Sequence, residues 1–162
     1  MYKTQADAVK DWLKAYRANE ERIDTQLDKI RTLKARMMSV GAQTLSDMPR
    51  GGGDTRDRMA EYVIQLEKLE LSVQNDIDVQ EQCRKTIIGL LLGLDVPEER
   101  KVIELRYLQG YEWNDVLENL YKADKYIGRK TEAYRRRMYR IHELALEKMA
   151  KRWGKKEESP AL

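Results

Sequence analysis

The sequence predicts an all-α protein, in which a long antiparallel helical hairpin, or coiled coil, precedes a small helix-turn-helix module. Apolar residues recur at three- and four-residue steps over two long stretches, which is the spacing of a helix face. No stretch sustains the period-two alternation of a half-buried strand. We expect residues 1–94 to form the hairpin, 95–153 the helix-turn-helix module and 154–162 a flexible tail.

The first long helix is predicted over about residues 6–40. Its charged positions mix acidic and basic residues, so the helix must be held mainly by its apolar stripe. The stripe consists of Leu13, Tyr16, Ile23, Leu27, Ile30 and Met37, interrupted by Glu20 and Lys34.

A glycine-rich loop is predicted over residues 41–57, where Gly41, Pro49 and the run 51–53 interrupt the helical pattern. The run lacks the Gly-Lys-Ser/Thr ending of a phosphate-binding loop, so we interpret it as an interhelical connection.

The second long helix is predicted over about residues 57–94, with positions spaced as a heptad seam. Asp76 and Gln80 are polar at seam positions, and such residues can fix register or oligomeric state. We therefore expect the hairpin to mediate self-association as a homo-oligomer, or contact with a partner. The seam is Tyr62, Leu66, Leu69, Val73, Asp76, Gln80, Cys83, Ile87, Leu90 and Leu94.

A module boundary is predicted near residue 95, because Asp95 is a plausible N-cap and Pro97 suits the first turn of a helix. Three helices should follow, over about residues 98–108, from about 113, and from 130 or 131 to about 153. Gly110 ends the first of them.

The last predicted helix carries apolar and basic residues on opposite sides of the helical wheel. Its predicted apolar face is Tyr134, Met138, Ile141, Ala145 and Met149, with Leu144 at the edge. The opposite arc holds Glu132, Arg135, Arg136, Tyr139, Arg140 and Glu143. Arginine side chains on a helix can reach phosphates or the edge of guanine in the DNA major groove. His142 lies at the boundary of the two faces, where a structural or phosphate-facing role is expected.

Charge is distributed unevenly along the chain. Residues 1–120 carry 18 Lys and Arg against 22 Asp and Glu, whereas residues 121–156 carry 13 against 4. An acidic body with a basic segment indicates an anionic partner, here double-stranded DNA.

Composition excludes several classes of site. One cysteine (Cys83) and one histidine cannot supply an intramolecular disulfide or a thiol zinc site, and no catalytic constellation is visible, so we expect no metal, no cofactor and no enzymatic activity. The longest apolar run has eight residues, too short for a membrane span, and the N-terminus lacks a signal core. A cytoplasmic location without membrane contact is expected.

Residues 97–116, beginning Pro97-Glu98-Glu99-Arg100, resemble the start of a sigma-factor region 4 helix-turn-helix, and residues 139–149, beginning Tyr139-Arg140-Ile141-His142, resemble its recognition helix. The combination is most similar to phage-encoded transcriptional regulators of the ArpU/RinA type. The resemblance covers about the last third of the chain. It implies a sequence-specific DNA-binding activator of phage late genes, acting in the bacterial host cell, with RNA polymerase as a further partner.

By position in that family, Arg135, Arg136, Tyr139 and Arg140 would read DNA, with Lys130 and Thr131 at the start of the helix. The link from residue 121 to 131 is longer than an ordinary helix-turn-helix turn, so either the second helix is extended or a basic wing precedes the third. Phosphate contacts are expected from the link, at Lys122, Lys125, Arg129 and Lys130.

Two other functions are compatible with the sequence. A DNA-packaging protein resembling a phage small terminase would also join a DNA-binding helical domain to an oligomerising hairpin. A coiled-coil adaptor would use the basic helix to bind an acidic protein and would not bind DNA.

Overall fold

The computed structural model describes residues 4–46 and 53–157 of the chain. Within these residues the protein is all-helical without a strand, and α1 and α2 pack together as a hairpin, as the sequence predicts. The helices are α1 (Gln5–Ser46), α2 (Gly53–Leu91), α3 (Pro97–Ile103, continued by a wider π-helical turn Glu104–Leu108), α4 (Trp113–Tyr121) and α5 (Thr131–Glu157).

The first helix begins at a capping box. The Thr4 backbone N–H donates to Asp7 Oδ2 at 3.0 Å, and the Asp7 N–H donates to the Thr4 hydroxyl oxygen at 3.2 Å. This reciprocal pair satisfies two of the backbone donors that a helix start leaves open. The sequence therefore fixes the start of α1 at the Thr4–Asp7 spacing.

The hairpin helices run further into the predicted loop than expected, whereas α2 ends at Leu91, before its predicted end at about residue 94. Residues 41–46 and 53–57 are helical, although a loop was expected over 41–57. A single glycine costs a helix only about 1 kcal/mol, which the packing of a long helix offsets, so Gly41 does not end α1. Residues 47–52 lie outside the described residues. Similarly, α5 continues to Glu157, where a tail was expected from residue 154, and residues 158–162 lie outside the described part.

The chain divides into two compact units. Unit one comprises residues 1–18 and 82–162, and unit two comprises residues 19–81. The boundary predicted near residue 95 therefore falls inside unit one, because both ends of the hairpin belong to it. Whether 95–153 is a separate domain stays a prediction.

Unit two is a pair of helices with one shared row of buried side chains. Ile23, Ile30 and Leu33 of α1 and Val73 of α2 are buried, and Gln80 is 5% exposed at its seam position. The other polar seam residue, Asp76, pairs with Arg22 at 3.1 Å. The heptad seam of α2 is confirmed, since its residues are all buried or half-buried.

Unit one has two hydrophobic clusters, and α3 contributes to both. Ile103 and Tyr107 pack in the first cluster, whereas Val102 and Leu105 pack in the second. The first cluster joins the start of α1, the end of α2 and the second half of α5; its buried members are Val9, Leu13, Tyr16, Ile87, Leu90, Leu91, Leu94, Ile103, Tyr107, Ala145, Leu146, Met149 and Ala150. The second joins α3 to α4 and the first half of α5; its buried members are Val102, Leu105, Val116, Leu117, Tyr121 and Met138.

The turn between α3 and α4 is held by two arginines. Arg17 donates to the Gly110 carbonyl oxygen at 2.9 Å, and Arg106 donates to the Tyr111 carbonyl oxygen at 2.8 Å. Both guanidinium groups also reach the Glu112 carboxylate, at 2.6 and 3.2 Å, and the hydrogen bond from Arg17 is the main reason that the pKa of Glu112 is lowered. These contacts fix the point from which α4 starts.

Gly110 has a φ of +73°, in the left-handed region that favours glycine. We therefore expect Gly110→Ala to lower the free energy of unfolding by about 1 kcal/mol, measured by urea denaturation. Gly89→Ala is the matched control, because Gly89 lies within α2 and an added Cβ there meets nothing within 4 Å. The control should raise stability by up to about 1 kcal/mol. Equal effects at both positions would contradict the left-handed conformation of Gly110.

Candidate nucleic-acid interface

The link between α4 and α5 is an ordered series of turns. Backbone N–H groups of Asp124, Ile127 and Arg129 donate to carbonyl oxygens three residues earlier, at 2.8, 3.2 and 3.0 Å. Ile127 also packs against the second cluster. Because α4 ends at Tyr121, the sequence-based alternative of an extended second helix is wrong. The basic link occupies residues 122–130 as turns.

Side chains fasten this link to the start of α5. Asp124 accepts a hydrogen bond from the Tyr134 hydroxyl and another from the Tyr126 backbone N–H, at 2.9 Å for the latter. The bond to Tyr134 is the main cause that lowers the pKa of Asp124 and raises the pKa of Tyr134. The Thr131 hydroxyl donates to the Ile127 carbonyl oxygen at 2.8 Å, so Thr131 is engaged in closing the turn.

The predicted phosphate-binding residues of the link are all exposed, at Lys122, Lys125, Arg129 and Lys130. Tyr126 is 48% exposed between two of them, with the Lys125 and Lys130 ammonium nitrogens 5.6 and 5.7 Å from its ring centroid. Such cation–π contacts hold the ammonium groups near the ring without neutralising their charge. The link thus presents positive charge from a fastened backbone.

The buried face of α5 differs from the predicted one. Met138, Ala145 and Met149 are buried as expected, but His142 and Leu146 are buried with them, and Leu144 is 42% exposed. The two half-buried residues, Tyr134 and Ile141, lie at the margin. The face is therefore turned towards His142, because this polar residue has a partner in the core.

That partner is Tyr107. Its hydroxyl lies 2.9 Å from His142 Nε2, and the His142 ring also packs against Trp113 at a centroid distance of 4.8 Å. His142 is 1% exposed, and burial lowers its pKa to about 4, so the ring is neutral at pH 7. Of the two roles expected for this residue, the phosphate-facing one is wrong and the structural one is confirmed.

The four predicted DNA-reading residues of α5 are not equivalent. Arg136 and Arg140 are exposed. Arg135 is half-buried, with its Nε buried and its Nη2 directed to Asn114 Oδ1 at 3.5 Å, so the expected shared exposed arc is wrong for this residue. Tyr139 is 41% exposed and packs edge-on against Trp113 at 5.2 Å between ring centroids. The turn of the buried face towards His142 explains why Arg135 is drawn towards α4.

Two further basic residues of α5 pair with carboxylates on α3. Arg137 contacts Glu98 at 2.7 Å, and Lys148 contacts Glu99 at 2.8 Å. Glu99 is only 4% exposed, so this pair joins a buried carboxylate of α3 to a partly exposed lysine of α5. The sequence assigns Glu98 and Glu99 to the helix start and does not reveal these pairs, since their partners lie 39 and 49 residues away.

Comparisons of the chain with protein-family models, with curated proteins and with solved structures find no match. In residues 4–46 and 53–157, no helix has the length and hydrophobicity that crossing a membrane would need. The same residues contain no cluster of three or more His, Cys, Asp or Glu side chains arranged to hold a metal ion. The candidate site therefore rests on the geometry of the link and α5.

Proposed function

We propose that this chain is a sequence-specific DNA-binding transcriptional regulator that docks on double-stranded DNA through the link and the exposed side of α5. The observation that carries the proposal is a set of six exposed cations, none of which forms an ion pair with a carboxylate among the described residues. We call it the free basic set: Lys122, Lys125, Arg129, Lys130, Arg136 and Arg140.

The contrast with neighbouring basic residues supports this set. Arg137 and Lys148, on the same helix, are paired with α3, and Arg106 and Arg17 hold the turn before α4. These four basic side chains have carboxylate partners, whereas no member of the free basic set forms a salt bridge among the described residues, although the Lys130 charge acts on Asp124 and helps to lower its pKa. An unneutralised cluster of this kind is what a polyanion would complete.

The two parts of the set suit different contacts. Lysines and Arg129 on the fastened turns can each neutralise a phosphate, which contributes affinity and register but no sequence information. Arg136 and Arg140 lie four residues apart on one helical face, and each can form a bidentate contact with guanine O6 and N7. Arg135 acts in this proposal as a positioning residue that fixes α5 against α4.

The role as a phage late-gene activator in the bacterial cytoplasm, with RNA polymerase as a partner, rests on the resemblance of residues 97–116 and 139–149 to sigma region 4-like regulators. The three helices α3, α4 and α5 in this part of the chain are compatible with that resemblance, although the link between α4 and α5 is longer than an ordinary helix-turn-helix turn. Footprinting of RNA polymerase at a candidate promoter, with and without the protein, would test this part.

DNA binding is tested by the double substitution Arg136→Ala/Arg140→Ala. Binding is measured by fluorescence anisotropy on a duplex selected by the wild-type protein from a random pool. We expect a loss of affinity of about thirtyfold or more, since two bidentate base contacts of about 1–3 kcal/mol each are removed. Lys125→Ala/Lys130→Ala should weaken binding to all DNA sequences alike. It should also reduce the magnitude of the slope of log K against log salt by about 2.

Arg137→Ala is the matched control, because this arginine is exposed next to Arg136 but already pairs with Glu98. Its affinity should stay within about threefold of wild type, the scale of a screened surface charge. Equal losses in all three variants would indicate nonspecific charge attraction. An absence of DNA binding even at low salt would contradict the proposal and favour a protein-binding adaptor.

A further inference from the structure

The strongest feature outside the candidate DNA interface is an open groove in unit two, of about 750 Å³, between α1 and α2. Its lining includes Leu33, Leu69 and four uncharged polar residues, and three exposed cations, Lys29, Arg36 and Lys68, form its rim. None of these three cations is in an ion pair with a described carboxylate. Asp28, the one acidic lining residue, is already engaged by Arg31 at 2.9 Å. The groove thus offers apolar surface at two leucines and carries positive charge at its edges.

The hairpin does not cover its own seam in unit two. Both hydrophobic clusters belong to unit one. In unit two the seam residues on either side of the buried row are only half-buried, at Leu27, Met37, Tyr62, Leu66 and Leu69. Two helices alone can bury a single row of side chains, and a further helix laid along the groove would cover the rest.

The outward side of α2, opposite its seam, carries apolar and acidic side chains that are complementary to the basic groove. Ile64 and Leu71 are 53% and 66% exposed. Helical geometry places Glu67 and Asp78 in the same arc of about 60° as these two residues. Over residues 60–81 this arc contains no Lys or Arg, and Lys68 lies about 40° outside it, where it lines the groove. The outward side of α2 is therefore apolar and acidic, whereas the groove is apolar and basic.

We propose that unit two joins copies of this chain head to tail, with the acidic side of α2 in one copy seated in the basic groove of the next. Ile64 and Leu71 are seven residues apart, ~10.5 Å along the helix and on one side of it, so both can lie along the same groove. Apolar contact with Leu33 and Leu69 covers the half-buried seam, and Glu67 and Asp78 neutralise the rim.

The groove and the acidic side are different surfaces of one molecule. Their contact is therefore heterologous, and each copy keeps one unused surface for another neighbour. Repetition of this contact leads to a closed ring or an open chain, not to a two-fold dimer. This inference concerns unit two alone and stands independently of DNA binding by unit one.

Complementary charge reversals test the proposal, with sedimentation velocity over a range of protein concentrations as the readout. The wild type should form concentration-dependent oligomers larger than a dimer. Lys29→Glu/Lys68→Glu in the groove and Glu67→Lys/Asp78→Lys on the acidic side should each weaken association by about tenfold or more, because like charges then face each other. An equimolar mixture of the two variants should associate again, since each mutated surface finds its complement.

Asp24→Lys is the control, because it reverses an exposed charge that belongs to neither surface. All the substituted residues are exposed, and circular dichroism melting checks that each variant remains folded. A wild-type protein that stays monomeric at all concentrations would overturn the proposal. A two-fold dimer whose association the charge reversals do not change would also overturn it. An equimolar mixture of the two variants that fails to associate would do the same.

Discussion

A fragment containing residues 95–162 alone should lack cooperative folding and should not bind DNA with the affinity of the full chain. The reason lies in the first hydrophobic cluster of unit one, where seven of the thirteen buried members precede residue 95. Without them, the apolar side chains of Ile103, Leu146 and Met149 would lose the surfaces of α1 and α2 that cover them. The small second cluster would remain as the main core, and so few buried residues rarely stabilise a domain.

Urea denaturation followed by circular dichroism would measure this effect. The matched control removes residues 19–81 and joins Ala18 to Gln82 through a short glycine–serine linker, which retains every residue of unit one. We expect the control to unfold cooperatively and the 95–162 fragment to show no transition. In the full chain, Leu13→Ala should lower the free energy of unfolding by about 2–5 kcal/mol, because Leu13 is fully buried. A fragment that folds and binds DNA like the full chain would instead establish the domain boundary near residue 95.

The sequence predicts the positions of the helices in this protein better than it predicts which helices pack against each other. Periodicity identifies the buried side of a helix, and at Leu13 and Ile87 it does so correctly. It does not identify the helix against which that side packs. Residues such as Leu13 and Met149 are separated by most of the chain, and only the tertiary structure shows that both belong to one cluster.

The candidate DNA interface shows a related limit. The positive charge of the link and the exposure of Arg136 and Arg140 could be predicted, because local composition and helical spacing determine them. Arg135 could not be placed, since its position depends on which residues of α5 are buried. A hydropathy pattern counts His142 as polar, whereas the Tyr107 hydroxyl, 35 residues earlier, allows it to be buried.

The same histidine leads to a second large effect, on the pH dependence of stability. The native pKa of His142 is about 4, mainly because burial disfavours the charged ring, and the ordinary value that the unfolded chain should show is 6.5. The nearby Glu143 carboxylate opposes this shift, and Lys10 adds to it. Between these two pH values the unfolded state binds more protons than the native state, so stability falls as the pH falls. More than about one pH unit above 6.5 the ring is neutral in both states and contributes no pH dependence.

We expect the free energy of unfolding to decrease by about 2 kcal/mol between pH 6.5 and pH 5, and by about 3 kcal/mol by pH 4. The window from pH 6.5 to 5 isolates this residue, because His142 is the single histidine of the chain and most carboxylates titrate lower. The measurement is urea denaturation at a series of pH values, with His142→Gln as the control. The variant should be less stable at pH 7, since it disturbs the contact with Tyr107, but its stability should be nearly constant across the window.

In the wild type, the imidazole proton resonances should not titrate above pH 5. A native titration near pH 6.5 would show that the ring is hydrated, and the slope in stability should then vanish as well, because both observations follow from the burial of one side chain.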